Sequence, residues 1–151
     1  MDEQKELRDN FRQQQEKYVY YVIALAVTAI GFAIYKTSGQ PLKWTQIPLG
    51  LSVLSWGISI YCGLTFLKYV ISTLFANNAY FDIIRGQYPG VGKDPEKVLG
   101  ATKGIKTAIE SNIKTAERYF NWKQRLFYSG VILFIFWHIL EMYHMTRVLT
   151  N

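Results

Sequence analysis

Three long apolar runs, separated by charged segments, dominate the pattern of this chain. The first covers residues 18–35 and the second covers residues 47–67, and neither contains a charged side chain. The third begins at Leu126 and contains no Asp, Glu, Lys or Arg before Glu141. A helix needs about 20 residues to cross the hydrocarbon core of a bilayer. The runs therefore predict three transmembrane helices, at 18–35, 47–67 and 126–146, with the lipid bilayer as their surroundings.

Polar segments with helical patterns precede and connect these spans. Residues 2–17 are rich in Glu, Gln, Arg and Lys and predict a polar helix at the N-terminus. After the second span, apolar residues recur at steps of three and four to about residue 85, which predicts that this helix continues beyond the membrane. A glycine-rich loop at 86–93 ends at a capping aspartate and a proline, and an amphipathic helix is then predicted over 94–121.

These elements define an all-α fold class. No segment alternates apolar and polar residues as a half-buried strand does. A chain of 151 residues with three spans has little length left for a separate soluble domain. We therefore expect a single membrane unit over residues 1–151, an integral membrane protein with three transmembrane helices and a cytoplasmic amphipathic helical extension.

The distribution of positive charge predicts the orientation of the spans. Four Lys or Arg residues precede the first span and ten lie between residues 68 and 125, which makes fourteen, against three in the first loop and the C-terminal tail. Cytoplasmic loops carry the excess of Lys and Arg. We expect a bacterial inner membrane or an organelle membrane, with a cytoplasmic N-terminus and an external C-terminus.

The net charge of +6 and the isoelectric point near 9.4 fit this membrane interpretation. The positive residues flank apolar runs, where they set topology and attract anionic headgroups, so nucleic acid is not an expected partner. The single cysteine, Cys62, lies in the second span, and one cysteine excludes an intrachain disulfide.

Small residues recur at helical spacing in the first two spans. They are Ser52, Ser55, Ser59 and Gly63 in the second span, and Ala26, Ala29 and Ala33 in the first. Helices in lipid associate through close backbone approach and polar contacts. The two sets therefore predict helix packing, either against each other in a hairpin or between copies of the chain. In a ring of copies, the four residues of the second span would line an aqueous path.

Three ionisable side chains, His138, Glu141 and His144, lie in the third span. Steps of three place neighbouring members within reach on one helical face, although the two histidines are splayed by about 120°. Ionisable residues at membrane depth are costly and are functional candidates by default. Three interpretations stay open: packing through a contact of Glu141 with a histidine or a neighbouring helix, conduction or sensing of protons or ions, and metal binding.

Metal binding is the least favoured of these interpretations. Glu141 and His144 form one Glu-x-x-His element of the kind that di-iron helix bundles use, but those sites need two such elements and further glutamates. We expect no cofactor, with a metal ion at Glu141 and His144 kept as an alternative. Because no nucleophile–base pair or carboxylate pair occurs elsewhere, an enzyme is less expected than a non-enzymatic membrane protein.

The predicted plan, a hairpin of spans with a short outer loop and an emerging amphipathic helix, is similar to that of small two-span bacterial effectors that oligomerise and permeabilise membranes. The similarity covers architecture and no specific motif. It implies a small homo-oligomeric membrane protein that forms a pore or ion path. The alternative is a structural or accessory subunit that binds other membrane subunits, and the second alternative is a membrane metalloenzyme that uses Glu141 and His144.

Overall fold

The chain folds into three long helices. The structure, a computed structural model, describes the backbone of residues 2–39, 41, 43–92 and 94–149, and the side chains of these residues other than 2–9, 11–12 and 147–149. Helix α1 covers Asp2–Thr37, α2 covers Ile47–Ile84 and α3 covers Pro95–Leu149, and a 3-10 turn at Trp44–Gln46 precedes α2. The all-α prediction is confirmed, with no strand in the described ranges.

Each of the three helices is long and apolar enough to cross a membrane. The stretches that meet this criterion of length and composition lie within Gln13–Thr37, Trp44–Ile84 and Pro95–Thr146. They include the runs at 18–35, 47–67 and 126–146 from which the spans were predicted. The prediction of three helices that are long and apolar enough to span a membrane is therefore confirmed.

The helices continue through points where the composition of the chain changes. The polar segment 2–17 and the span 18–35 form one helix, and the amphipathic segment 94–121 and the span 126–146 form another. Residues 122–125 contain no glycine or proline, so nothing in that segment interrupts the backbone hydrogen bonds of α3. The sequence boundaries mark changes in polarity and not breaks in the backbone.

Contacts between helices divide the chain into two compact units. The first comprises Met1–Gly63 and Trp122–Asn151, and the second comprises Leu64–Asn121. In the second unit, α2 and α3 are joined by paired aromatic rings: the Phe66 and Phe120 rings are 5.3 Å apart, and the stacked Tyr69 and Tyr119 rings are 6.1 Å apart. Offset and tilted ring pairs at these distances stabilise a helix pair beyond the area they bury.

The turn of the second unit follows the sequence signals closely. Gly86 adopts a left-handed conformation with φ of 69°, and its N–H donates to the Ile83 carbonyl at 3.0 Å. Glycine suits this position because it has no Cβ to clash there. At the start of α3, the Asp94 carboxylate accepts a hydrogen bond from the N–H of Glu96 at 3.1 Å, which satisfies a donor that the helix itself leaves unpaired.

All three helices contribute to the core of the first unit. Ala33 of α1, Leu49 of α2 and Trp137 of α3 form a buried cluster, and Val53 and Phe134 pack against it. The small Ala33 side chain allows close approach, and the large Trp137 ring fills the space between the helices. This cluster orients the half of α3 that carries the ionisable residues.

A second close contact in this unit joins Trp56 of α2 to Gly130 of α3. A Cβ atom at position 130 would lie 2.5 Å from the indole Nε1 and 2.7 Å from Cδ1. The indole N–H donates to the Phe127 carbonyl, one turn earlier on α3, at 3.3 Å. Since the indole is rigid and Trp56 is only 2% exposed, the contact requires glycine.

Gly130→Ala tests this requirement. We expect it to lower the free energy of unfolding by about 1–3 kcal/mol, because the added methyl group displaces the Trp56 ring and its hydrogen bond. Reversible unfolding in mixed micelles measures the change. Gly57→Ala, which places a methyl group where no atom lies within 4 Å, is the matched control and should change stability by no more than about 1 kcal/mol. Equal effects of the two substitutions would contradict the packing described.

Candidate functional site

Two groups of polar residues in the first unit are the candidates for function. One is the serine stripe of α2, which consists of Ser52, Ser55, Ser59 and Gly63. The other is the polar end of α3, which consists of His138, Glu141 and His144. The structure places the first group between helices and the second group at an open cavity and on an exposed helix face.

The serine stripe is buried, and its hydroxyls bond to backbone carbonyls. Ser55 donates to the Leu126 carbonyl at 2.7 Å and Ser59 donates to the Lys123 carbonyl at 2.8 Å, both on α3. Ser52 donates to the Leu49 carbonyl of its own helix at 2.8 Å. Each hydroxyl therefore has an acceptor within the chain, and two of them join α2 to α3.

Two hydroxyls of the stripe bond to a helix that the sequence did not indicate as their partner. The alanines of the first span were considered as the packing partner of the stripe, but Ser55 and Ser59 contact α3. Of those alanines, Ala26 and Ala33 are buried, and Ala33 packs in the core cluster. The acceptors on α3 are backbone carbonyls, which every residue carries, so they give no sequence signal of their own.

Gly63, at the end of the stripe, lies where all three helices meet. A Cβ atom there would be 3.2 Å from Cδ1 of Ile23 on α1 and 3.4 Å from Cδ of Lys123 on α3. Lys123 is completely buried, and its Nζ lies 4.7 Å from the centre of the Tyr18 ring. The lysine stem thus packs on glycine, while the ammonium faces an aromatic ring. Sequence reasoning counted Lys123 only as one of the positive residues between 68 and 125 and missed this contact.

A cavity of about 490 Å³ lies between α1 and the polar end of α3; we call it the α1–α3 cavity. Its polar lining residues are Lys36, His138 and Glu141, and its other lining residues are Phe32, Phe134, Trp137, Met142 and Met145. His144 does not line it and is exposed. The structure therefore brings two of the three predicted ionisable residues to one cavity and adds Lys36.

Two polar atoms at the α1–α3 cavity are buried without a hydrogen-bond partner among the described residues. They are the indole Nε1 of Trp137, a donor, and the carboxylate Oε2 of Glu141, an acceptor. Trp137 is 8% exposed, and the Lys36 Nζ lies 6.0 Å from the centre of the Phe32 ring. Sequence reasoning counted Lys36 only as a loop charge, although its place at the end of the first span was a usable signal.

The geometry offers little for metal binding within one chain. Among the described residues, no group of three or more His, Cys, Asp or Glu side chains is arranged to hold a metal ion. Glu141 and His144 thus gain no third protein ligand from the part of the chain that the structure describes. A metal ion there would need ligands from another molecule.

Comparison with known proteins adds no further guide to function. No protein-family model matches the chain, and neither a curated protein nor a solved structure matches it. The fold defines the broad class, an all-α protein with three helices long and apolar enough to cross a membrane. A narrower class of protein has to be inferred from the side chains of the candidate site.

Replacing the Ser59 hydroxyl tests the contact between α2 and α3. We expect Ser59→Ala to lower the free energy of unfolding by about 0.6 kcal/mol, the usual size of such a bond in a membrane. The double variant with Ser55→Ala should lose about 1 kcal/mol. Unfolding in mixed micelles measures both values. Ser129→Ala, at an exposed position of α3, is the control, and a loss as large as that of Ser59→Ala would contradict the assignment.

Proposed function

We propose that this protein is a small homo-oligomeric integral membrane protein whose third spans form an ion path where the subunits meet. The observation that carries the proposal is the uncovered state of α3. Only 11% of its most apolar stretch is buried within the chain, compared with 22% for α1 and 33% for α2. On this uncovered helix, His138 and His144 are exposed.

Exposing an ionisable side chain to lipid costs free energy, and this cost favours the assembly of several copies of the chain. A side chain that can carry charge is unfavourable at membrane depth unless protein or water faces it. A second copy of α3 would supply protein contacts, and a ring of copies would also supply a water-filled centre. Each imidazole has one nitrogen that donates and one that accepts a proton, so the two histidines are suited to pass protons or to contact ions along such a path.

The polar lining of the path is assigned to α3 rather than to the serine stripe. In this structure the stripe hydroxyls already bond to carbonyls of the same chain. Turning the hydroxyls of Ser55 and Ser59 toward water would break two hydrogen bonds between α2 and α3. The histidines of α3 can face a neighbouring copy with no such loss.

An accessory subunit of a larger membrane complex is the second candidate. The observation that favours it is the exposure of large apolar side chains in the second unit, where Phe75 is 71% and Leu99 is 72% exposed. Apolar surface of this kind is typical of contacts with another protein. Native mass spectrometry of gently extracted protein separates the candidates, because the ion-path proposal requires a complex made only of this chain.

Ion flux through reconstituted vesicles tests the path directly. We expect flux with the wild-type protein, and about a tenfold decrease for His138→Leu or His144→Leu, the effect of a barrier raised by about 1.4 kcal/mol. Ile135→Leu, at an exposed position of the same helix, is the control and should keep wild-type flux. Assembled wild-type protein without flux would contradict the proposal, as would histidine variants that conduct normally.

Labelling of single cysteines tests the proposed orientation, with the N-terminus in the cytoplasm. In a Cys62→Ser background, we expect Lys43→Cys to react with an impermeant maleimide added outside. Lys97→Cys, whose side chain is 66% exposed, should react only after the membrane is opened. The opposite labelling pattern would contradict the proposed orientation. It would not contradict the presence of three spans.

A further inference from the structure

Two residues that line the α1–α3 cavity, Trp137 and Glu141, each carry a buried polar atom that no described residue satisfies. These are the Trp137 Nε1 and the Glu141 Oε2. A buried polar atom without a partner costs about 1–3 kcal/mol. A ligand that supplied both a hydrogen-bond donor and an acceptor would therefore remove the free-energy cost of both unpartnered atoms.

The charges around the cavity indicate a ligand that carries both signs. Glu141 presents a carboxylate and Lys36 an ammonium group, and both line the same space. In surroundings of low dielectric constant, each charge is stabilised by an opposite charge close to it. A zwitterion satisfies both residues, whereas a simple anion or cation satisfies only one.

The apolar walls of the cavity further restrict the kind of ligand that it can bind. The rings of Phe32, Phe134 and Trp137 line the cavity, and aromatic faces attract a ligand cation. Met142 and Met145 add flexible apolar surface, which adapts to the shape of a ligand. The volume of about 490 Å³ lies in the usual range for small-molecule sites.

The place of the cavity along the helices indicates a membrane lipid. Lys36 immediately follows the span predicted at 18–35, and α1 ends at Thr37. Lysines at the ends of spans extend toward the level of the lipid headgroups. A lipid from the surrounding bilayer can reach this depth with its headgroup in the cavity and its chains outside.

We propose that the α1–α3 cavity binds the headgroup of a phosphoethanolamine lipid. The primary ammonium group donates to Glu141 and faces the aromatic rings. The phosphate contacts Lys36 and accepts a hydrogen bond from the Trp137 indole. This site goes beyond the proposed ion path, which is assigned to His138 and His144, although His138 also lines the cavity.

Lipid competition on the wild-type protein is the first test and needs no variant. The purified protein in detergent is mixed with equal amounts of phosphatidylethanolamine, phosphatidylcholine and phosphatidylglycerol with identical chains, and retained lipid is counted by native mass spectrometry. We expect phosphatidylethanolamine to be retained about tenfold over each of the others, the effect of one charge-assisted hydrogen bond. Phosphatidylcholine has no N–H to donate, and phosphatidylglycerol has no cation. Equal retention of the three lipids would overturn the proposal.

Substitutions in the cavity provide the second test. We expect Glu141→Gln and Lys36→Gln each to abolish the preference for phosphatidylethanolamine, and Trp137→Phe to weaken it. Glu117→Gln and Lys43→Gln, which remove the same charges at exposed positions outside the cavity, are the controls and should keep the preference. A preference that survives both cavity substitutions would overturn the assignment of these residues.

Competition with free phosphoethanolamine shows whether the ligand is a lipid or a soluble molecule. Added in excess, it should not displace the bound lipid, because it lacks the hydrocarbon chains that keep a lipid in the micelle. Displacement by the free headgroup would overturn the lipid as the source of the ligand. Because binding is read in detergent and without ion flux, failure of this proposal and failure of the ion path are distinguishable.

Discussion

The packing of the first unit depends on hydrogen bonds from α2 side chains to the backbone of α3. Ser55, Trp56 and Ser59 donate to carbonyls at residues 126, 127 and 123. In hydrocarbon, apolar side chains gain little by contacting one another instead of lipid, so polar contacts and close backbone approach carry helix association. Gly130 provides the close approach, and the donors fix α3 in register against α2.

That register determines what the polar end of α3 can contact. With residues 123–127 held against α2, Trp137 enters the core cluster with Ala33 and Leu49. Glu141, one turn further, then faces the α1–α3 cavity, while His144 remains exposed. Packing far from the ionisable residues thus places His138 and Glu141 at the cavity and leaves His144 exposed and outside it.

Sequence reasoning found the architecture because apolar length and helix signals are local properties. The three spans, the glycine-containing turn after Ile84 and the cap at Asp94 can all be inferred from short stretches of sequence. The contacts between helices could not be inferred in this way, because the acceptors for Ser55 and Ser59 are backbone atoms, which every residue carries. Lys36 was missed as a cavity residue because its relation to Glu141 depends on how α1 packs against α3.

Lys123 has a consequence for how such a chain enters its membrane. A lysine with a fully buried side chain is tolerable only once its surroundings exist, and these include the Tyr18 ring and the bare surface of Gly63. Both belong to segments that the ribosome makes earlier than residue 123. Biosynthesis from the N-terminus therefore prepares the receiving surface before the charged side chain arrives, and the order of the helices in the chain is also a workable order of insertion.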